Sequence, residues 1–458
     1  MGNLTATLVN AANALQVYEG ALDVTQNNVS NANTPGYANQ VPTLVAQPFN
    51  VLTGSAGGVA LGVTQSTRDQ YVEQSVRTQQ TASSYDQQQV SDLSTAQNYF
   101  SLSTTSGIAP AITALFGAFS QLSVTPNDEV ARQTVLNDAA TVAQNFNDAA
   151  NGLLSQVTGL QQETNSSIQA INQLGSTIAQ INADNPTDLN AGEDAGVDAQ
   201  LNAALDQLSQ YANFSVLQQS NGQISVYLGG QTPLVMGDQS FAIQGDFSTP
   251  QSVILSSSGV DITSQITGGQ LGAEINDNNN LLPGYVSSLN TLAQTLADQV
   301  NNTLNQGVDE NGAAPTTDLF SYNATTGAAL TLSVNSLTPD QIAAATPGAT
   351  GGNGNALALA ALANSPVAGG YTFAQAYGNI GAQVGSDLSS AQNNSSTDQS
   401  LLSQAETLRQ QISGVSLDTQ AESLLQYERS YDAISKMLSV LNDLSLDTVN
   451  ILPPATSA

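Results

Sequence analysis

The amino-acid sequence of 458 residues contains no cysteine and no histidine. Their absence excludes disulfide bonds, thiolate metal sites, cysteine nucleophiles and histidine-based catalytic triads. The routes to catalysis that remain are paired carboxylates, a serine–lysine pair, and a metal site built from aspartate and glutamate. Any function that needs a thiol or an imidazole is therefore ruled out.

Basic residues are scarce, because 6 Lys and Arg stand against 36 Asp and Glu, for a formal net charge of −30. Nucleic acids and anionic membrane surfaces need cationic partners, so neither is expected as a ligand. With so few cations, we expect ion pairs to contribute little to the fold, and apolar burial and polar hydrogen bonds to hold it together. The longest apolar run, residues 356–363, is too short to span a bilayer, and the N-terminus lacks the pattern of a cleavable signal peptide.

Both ends of the chain show the heptad-like spacing of a helix with one apolar seam. The N-terminal seam comprises Leu4, Leu8, Ala11, Leu15, Tyr18 and Leu22, and the C-terminal seam comprises Leu417, Ala421, Leu424, Tyr427, Tyr431, Ile434, Leu438 and Leu441. The pattern predicts an antiparallel pairing of the first and last helices. The alternative is that each seam packs on the core of the protein itself. A capping box of Thr419 and Glu422 would start the last helix, Gly414 would separate it from the preceding one, and Pro453-Pro454 would end it.

The middle of the chain changes from a helical to an alternating pattern. Residues 83–182 carry apolar residues at three- and four-residue steps, beginning at Val130 in the longest run, and predict long helices. Residues 214–230 predict a hairpin that turns at Asn221-Gly222, followed by short strands in "TPLVMG" and "SVILSS". Helical pattern returns at residues 281–304 and again toward the C-terminus. The predicted fold is mainly α with a β-rich insertion.

Three groups of residues have side chains that could carry chemistry. Asp184, Asp188, Glu193, Asp194 and Asp198 form an acidic cluster that could supply paired carboxylates, although a solvated loop is the simpler interpretation. Asp309, Asn311 and Gly312 have part of the spacing of a calcium loop, but a turn explains them better. Lys436, the one lysine, lies in the C-terminal seam, where a solvated position is expected. We predict no enzyme, no catalytic, cofactor or metal site, and a function carried by surfaces that bind other proteins.

The stretch "ALDVTQNNVSNANTPGYANQ", residues 21–40, resembles the N-terminal motif of the bacterial flagellar axial proteins, which form the rod, the hook and the hook–filament junction. The residues that carry the resemblance are Asn27, Asn28, Asn31, Asn33, Thr34, Pro35, Gly36, Tyr37 and Gln40. Asn39 stands where this family commonly carries arginine. "ISGVSLDTQAESLLQYERSYDAISKMLSVLNDL", residues 412–444, and several interior stretches are similar to the hook-associated members.

The resemblance implies an elongated multi-domain axial protein in four parts. Residues 1–40 with 417–458 would form an inner layer of paired terminal helices. Residues 41–210 with 271–306 and 367–416 would form a helical shaft. Residues 211–270 would form an outer β-rich insertion, and residues 307–366 an outer insertion rich in Gly, Ala and Asn.

The implied function is a structural ring at the hook–filament junction, needed for filament attachment, with the seam residues forming the subunit interface. The implied partners are further copies of the chain, the hook protein, the second junction protein and an export chaperone on the C-terminal helix, with no nucleic acid and no membrane insertion. The implied location is extracellular, after type III export without a cleaved signal peptide. The alternatives are another axial protein, namely the hook protein or the second junction protein, and, with much less support, a rod-type protein with peptidoglycan hydrolase activity.

Overall fold

The structure is a computed structural model that describes residues 2–50, 55–100, 105–184, 195–219 and 223–450. The helices are α1 Gly2–Ser30, α2 Gln70–Gln97, α3 Ile108–Val124, α4 Glu129–Asp184, α5 Ala195–Tyr211, α6 Gly269–Asn276, α7 Leu282–Leu304, α8 Ala328–Thr331, α9 Gly354–Ala361, α10 Phe373–Ser413 and α11 Leu417–Asn450. The strands are β1 Gln40–Val41, β2 Leu44–Asn50, β3 Ser55–Leu61, β4 Gln65–Ser66, β5 Phe214–Gln218, β6 Ile224–Leu228, β7 Thr232–Met236, β8 Gln239–Ser240, β9 Gln244–Asp246, β10 Val253–Leu255, β11 Phe320–Ser321 and β12 Ser333–Val334. The predicted class, mainly α with a β-rich insertion, is confirmed.

The chain forms two compact units, each built from several segments. The joint unit comprises residues 1–82, 170–243 and 398–458, and the helical unit comprises residues 83–169 and 244–397. The four-part division predicted from the sequence stays a prediction.

The core of the helical unit is one large apolar cluster of side chains from α3, α4, α7, α9 and the first part of α10. In α3, residues at helical spacing such as Ile108, Ile112, Leu115 and Phe119 are almost completely buried. Aromatic rings reinforce the cluster, since Phe116 stacks on Phe373 with ring centroids 5.7 Å apart. This unit is therefore a helix-on-helix structure with ordinary apolar packing.

The β-rich part of the joint unit is an antiparallel sheet in the order β5–β6–β7–β8. The predicted hairpin is confirmed as β5 and β6, with Val216 opposite Val226, while its turn at Asn221-Gly222 lies outside the described residues. Pro233 sits in β7 beside a register shift of β6, which is where a strand tolerates a residue that cannot donate a backbone hydrogen bond. The two short strands predicted from "TPLVMG" and "SVILSS" are confirmed as β7 and β10.

Residues 41–82 contain two features that the sequence pattern did not indicate. Within the range 41–210, for which the resemblance implies a helical shaft, residues 40–66 contain four strands, and β2 pairs with β3 in an antiparallel hairpin. Helix α2 begins at Gln70, thirteen residues before the predicted start at Ser83, because the Asp69 carboxylate accepts hydrogen bonds from the N–H groups of Tyr71 (2.9 Å) and Val72 (3.2 Å).

The helical run predicted over residues 83–182 contains two breaks, one after α2 and one between α3 and α4. The second break follows from Pro126, and Asp128 then caps α4 by accepting from the Val130 N–H at 2.8 Å. Val130 was predicted to lie in the apolar stripe but is 73 % exposed, because it belongs to this capped first turn. Later members of the stripe, including Phe146 and Leu153, are buried as predicted.

Candidate functional site

The first and last helices, α1 and α11, lie side by side in the joint unit. They run antiparallel, because Asn28 near the end of α1 bonds to Gln420 near the start of α11, while Tyr18 faces Tyr427 with ring centroids 6.3 Å apart. The antiparallel arrangement expected of the two seams is present in this structure.

The seam residues are mostly half-buried. On α1 these are Leu4, Leu8, Leu15, Tyr18 and Leu22, and on α11 they are Leu424, Tyr427, Tyr431, Ile434, Leu438 and Leu441; Leu417, at the start of α11, is exposed. The fully buried apolar residues of α1 are Ala11, which belongs to the seam, and Val17 and Ala21, which do not, because α1 also packs against β3 of the hairpin. Whether the seam residues form a subunit interface stays a prediction.

The motif loop, residues 31–40, connects α1 to β1. Thr34-Pro35-Gly36-Tyr37 forms a turn, in which the Tyr37 N–H donates to the Thr34 carbonyl at 3.1 Å and Gly36 has φ +74°. Gly36 is also needed for a second reason, since a Cβ there would lie 2.4 Å from the Ala199 carbonyl oxygen and 2.9 Å from the Ala203 nitrogen. The turn therefore rests directly on the backbone of α5.

Asn28 is the centre of a hydrogen-bond network that joins α1, the motif loop and α11. Its side-chain N–H₂ donates to the Gln40 carbonyl (2.7 Å) and to the Gln420 side-chain oxygen (3.0 Å). Its side-chain oxygen accepts from the Gln40 N–H (2.9 Å) and from the Tyr37 hydroxyl (2.9 Å). Asn28 is buried, and this set uses both of its donors and both of its acceptor positions.

The other motif residues support the loop locally. The Asn31 side chain donates to the Asn27 carbonyl at 3.0 Å and accepts from the Thr34 hydroxyl at 3.0 Å. Burial raises the pKa of the Tyr37 hydroxyl, which donates to the Asn28 side-chain oxygen at 2.9 Å. Pro35 is exposed but fixes φ at the second position of the turn, whereas Asn33 is exposed and nothing in the fold of this chain accounts for it.

Asn39, where the resemblance predicts arginine, is held by uncharged groups. Its side-chain oxygen accepts from Gln420 Nε2 at 3.0 Å, and its N–H donates at 2.8 Å to the carbonyl of Ser413, the last residue of α10.

The break predicted at Gly414, between α10 and α11, is confirmed, but the capping box predicted at Thr419 and Glu422 is wrong. Helix α11 starts at Leu417, and the Ser416 hydroxyl accepts from the Thr419 N–H at 3.4 Å.

A cluster of ion pairs lies beside the motif loop and contradicts the expectation that ion pairs contribute little. Arg68, Arg77 and Arg409, three of the chain's 6 basic residues, converge on the buried carboxylate of Glu73. The expectation failed because it considered the number of cations and not their placement. Three arginines concentrated on one buried acid can tie several helices together.

Two further acids complete this arginine cluster. Arg68 contacts Asp198 at 2.8 Å, and Asp206 contacts both Arg77 at 2.9 Å and Arg409 at 2.7 Å. Arg68 also donates to the Gly36 carbonyl, so the cluster is bonded directly to the motif turn.

The arginine cluster explains one member of the acidic cluster that was a candidate for paired carboxylates. Asp198 is an ion-pair partner of Arg68 rather than part of a carboxylate pair, while Asp188, Glu193 and Asp194 lie outside the described residues.

The other two candidate groups have structural explanations. Asp309 forms a turn, accepting from the N–H groups of Asn311 and Ala313 at 2.8 Å each, and Lys436 is exposed. No group of three or more Asp and Glu in the described part of the chain is arranged to hold a metal ion. No helix there is long and apolar enough to cross a membrane.

The paired terminal helices and the buried polar network of the motif loop present no catalytic arrangement in the described residues and are typical of a structural protein. The family described as "Flagellar hook-associated protein FlgK helical domain" matches residues 93–320. The chain belongs to the flagellar hook-associated protein family, whose members are structural flagellar proteins and not enzymes.

Curated relatives and a solved structure agree with this assignment. The chain is 25% identical to flagellar hook-associated protein 1 of Bacillus subtilis (strain 168), over 97% of either chain. It is 35% identical to flagellar hook-associated protein 1 of Salmonella typhimurium over 100 residues, which are 22% of this chain and 18% of that protein. The fold is similar to that of the flagellar hook junction protein FlgK from Burkholderia pseudomallei, with a TM-score of 0.66, 19% identity, and coverage of 74% of this chain and 100% of that chain.

Proposed function

We propose that this protein is a structural subunit of the bacterial flagellum, outside the cell at the hook–filament junction. There it would adapt the hook to the filament and be needed for filament attachment. The family match and the name shared by the curated relatives support the location. The pairing of α1 with α11 supports a role in which the two termini form the inner layer of an assembly.

The observation that carries an assembly role is an apolar stripe on α11 that faces away from α1. Met437, Val440 and Leu444 are 49 %, 65 % and 50 % exposed, and their spacing places them on one face of the helix. A soluble monomer gains nothing from such a stripe, whereas a neighbouring helix would bury it. At about 25 cal/mol per Å² of apolar surface, burial of several such side chains per subunit favours association.

The neighbours in this proposal are further copies of the chain in a ring, the hook protein on one side and the second junction protein on the other. The predicted four-part division then gives the paired termini as the inner layer, with the shaft and the two insertions outside it. Before assembly the apolar stripe would be covered by an export chaperone, which would bind the C-terminal helix in a groove.

The test replaces the stripe without disturbing the fold. We expect the triple variant Met437→Ser, Val440→Ser, Leu444→Ser to keep the helical content of the natural chain, because all three side chains are exposed. It should fail to restore filament attachment in a strain lacking the protein. The matched control is Asn442→Ser with Asp443→Ser, polar exposed positions of the same helix, which should restore attachment. Full attachment by the triple variant would contradict the proposal.

A further inference from the structure

The helical unit buries three carboxyl groups without a basic partner. Asp92 of α2, Glu274 of α6 and Asp277 in the π-helical turn before α7 are 6 %, 0 % and 1 % exposed. The helical unit contains one basic residue, Arg132, and its guanidinium donates to backbone carbonyls, including that of Ile342 at 2.7 Å. Burying an ionised carboxylate without a cation is costly, so these groups need another partner.

Asp92 and Asp277 face each other, and in each carboxyl group one oxygen, Oδ1, accepts a hydrogen bond from a glutamine side chain. Gln88 Nε2 donates to Asp92 Oδ1 at 3.0 Å, and Gln89 Nε2 donates to Asp277 Oδ1 at 3.1 Å. The two Oδ2 atoms are buried and have no hydrogen-bond donor among the described protein groups. One proton on Asp92, donated to Asp277, gives both carboxyl groups the partner they lack.

The electrostatics agree with a proton shared by this pair. Burial, and then the charge of Asp277, raise the pKa of Asp92. Burial also raises the pKa of Asp277, while hydrogen bonds from Gln89 and Asp92 oppose the increase. The two buried carboxyl groups therefore share one proton at neutral pH.

Glu274 is a second buried acid on the same segment. Its Oε1 accepts from the Ser167 hydroxyl of α4 at 2.8 Å, while its Oε2 is buried without a donor. Burial raises the pKa of Glu274 to about 8, and the charge of Glu163 acts in the same direction. This carboxyl group is thus protonated at neutral pH and can donate from Oε2.

The groups that face this cluster from every neighbouring helix are acids or phenols. They are Tyr85 and Asp86 of α2, Glu163 of α4, and Tyr285 of α7, whose hydroxyl donates to Asp387 of α10 at 2.8 Å. None can supply a positive charge, so a proton is the remaining species that neutralises the buried acids.

We propose that Asp92, Asp277 and Glu274 form a proton-binding site that joins α2, α4 and the α6–α7 segment, so that the helical unit is more stable in mildly acidic than in alkaline solution. The sign follows from linkage. An acid whose pKa is higher in the folded than in the unfolded chain contributes stability that is complete below the unfolded value and is lost as pH rises through the folded value. For Glu274 that window runs from about 4, the unfolded value, to about 8.

The composition makes this effect easy to isolate. Surface carboxylates have titrated by about pH 5.5, while tyrosine and lysine titrate near 10. The chain has neither histidine nor cysteine, the side chains that normally titrate between those limits. A change of stability between about pH 5.5 and 9 therefore reports acids with raised pKa values and, to a small extent, the terminal amine. The site concerns the fold of one unit and not assembly, so its test is independent of the proposed function.

The experiment is thermal unfolding of the full chain at a series of pH values. We expect the unfolding midpoint of the helical unit to fall by on the order of 10 °C between pH 5.5 and pH 9. Asp92→Asn and Glu274→Gln carry uncharged groups that can donate as the protonated acids do. Each should reduce the dependence on pH, and together they should remove most of it. Asp148→Asn is the matched control, because Asp148 is exposed on α4 and should leave the dependence unchanged.

Two results would overturn the proposal: a midpoint that stays constant or rises with pH in the natural chain, or variants that keep its full pH dependence. If the variants fail to fold, infrared spectroscopy of the natural chain decides, because a protonated carboxyl group absorbs apart from carboxylates. Absorption by protonated carboxyl groups at pH 7 that disappears above pH 9 supports the site, and absence of that absorption at pH 7 overturns it.

Discussion

The two units of this protein treat buried carboxylates in opposite ways. In the joint unit, Glu73 is surrounded by three arginines and is an ion-pair partner of each. In the helical unit, Asp92, Asp277 and Glu274 are equally buried, and no basic side chain in the described residues contacts them. The comparison teaches that a chain with few basic residues can place several of them around one buried acid and leave other buried acids without any basic partner. The same substitution, acid to amide, should therefore cost much more stability in the joint unit than in the helical unit.

The largest effect is expected for Glu73→Gln in the joint unit. The substitution leaves three arginines with two acids, and removal of one partner from a buried charge network costs about 3–5 kcal/mol. The measurement is denaturant unfolding of the full chain at neutral pH. Glu406→Gln, at an exposed position of α10, is the control and should be close to neutral. A loss below about 1 kcal/mol for Glu73→Gln would mean that Glu73 contributes little to the stability of the arginine cluster. The contrast between the two units would then be wrong.

The next largest effect is expected in the Asn28 hydrogen-bond network of the joint unit. The substitution introduces a charge where the structure has a neutral amide. Asn28→Asp keeps the two acceptor positions but replaces both donors, so the Gln40 carbonyl and the Gln420 side-chain oxygen would face a carboxylate. We expect a loss of about 2–3 kcal/mol at neutral pH. Asn33→Asp, at an exposed position of the same loop, is the control, and chemical denaturation is the measurement. Equal stability of the two variants would contradict the role given to Asn28.

A smaller effect separates the two reasons for glycine at position 36. Gly36 and Gly230 have nearly the same φ, +74° and +76°, but a Cβ at Gly230 would meet no atom within 4 Å, whereas one at Gly36 would collide with the backbone of α5. We expect both Ala variants to lose about 1 kcal/mol from the positive φ, and Gly36→Ala to lose about 1–2 kcal/mol more from the collision. Paired thermal unfolding measures the difference. Equal losses would show that the turn does not rest on α5.

The smallest effect is expected for Asp92→Asn in the helical unit at neutral pH. Because the protonated acid and the amide can both donate to Asp277, stability should change by no more than about 1 kcal/mol, in either direction. The measurement is the same unfolding experiment as for Glu73→Gln, performed in parallel. A loss as large as that of Glu73→Gln would indicate that Asp92 acts as a paired carboxylate, and the contrast between the two units would disappear.

The features that the sequence predicted well are local ones. The β5–β6 hairpin and the break at Gly414 each depend on residues a few positions apart, where glycine and alternation have direct conformational consequences. The two seams were recognisable for the same reason, since helical spacing repeats over short distances. The β2–β3 hairpin was missed because it lacks regular alternation and contains Pro48 within β2.

The features that the sequence did not predict join residues that are far apart in the chain. Arg68 and Asp198 are separated by 130 positions, and Arg409 and Glu73 by 336, so no spacing rule connects them. Gln420 completes the Asn28 network from 392 positions away, and nothing in its neighbours distinguishes it from Gln426, the other glutamine of α11. One signal was available, because Arg68 and Arg77 flank Glu73 at short spacing in a chain with few basic residues.

By itself, the sequence determined which chemistry is impossible, where most helices and strands lie, and which motif assigns the chain to its family. Composition and local periodicity suffice for these, since each reflects the preference of a residue or of its near neighbours. Only the tertiary structure decided which acids are paired with arginine and which are buried with no basic partner. The free energy of a buried charge depends on the groups that surround it in space, and folding brings those groups together from distant parts of the chain.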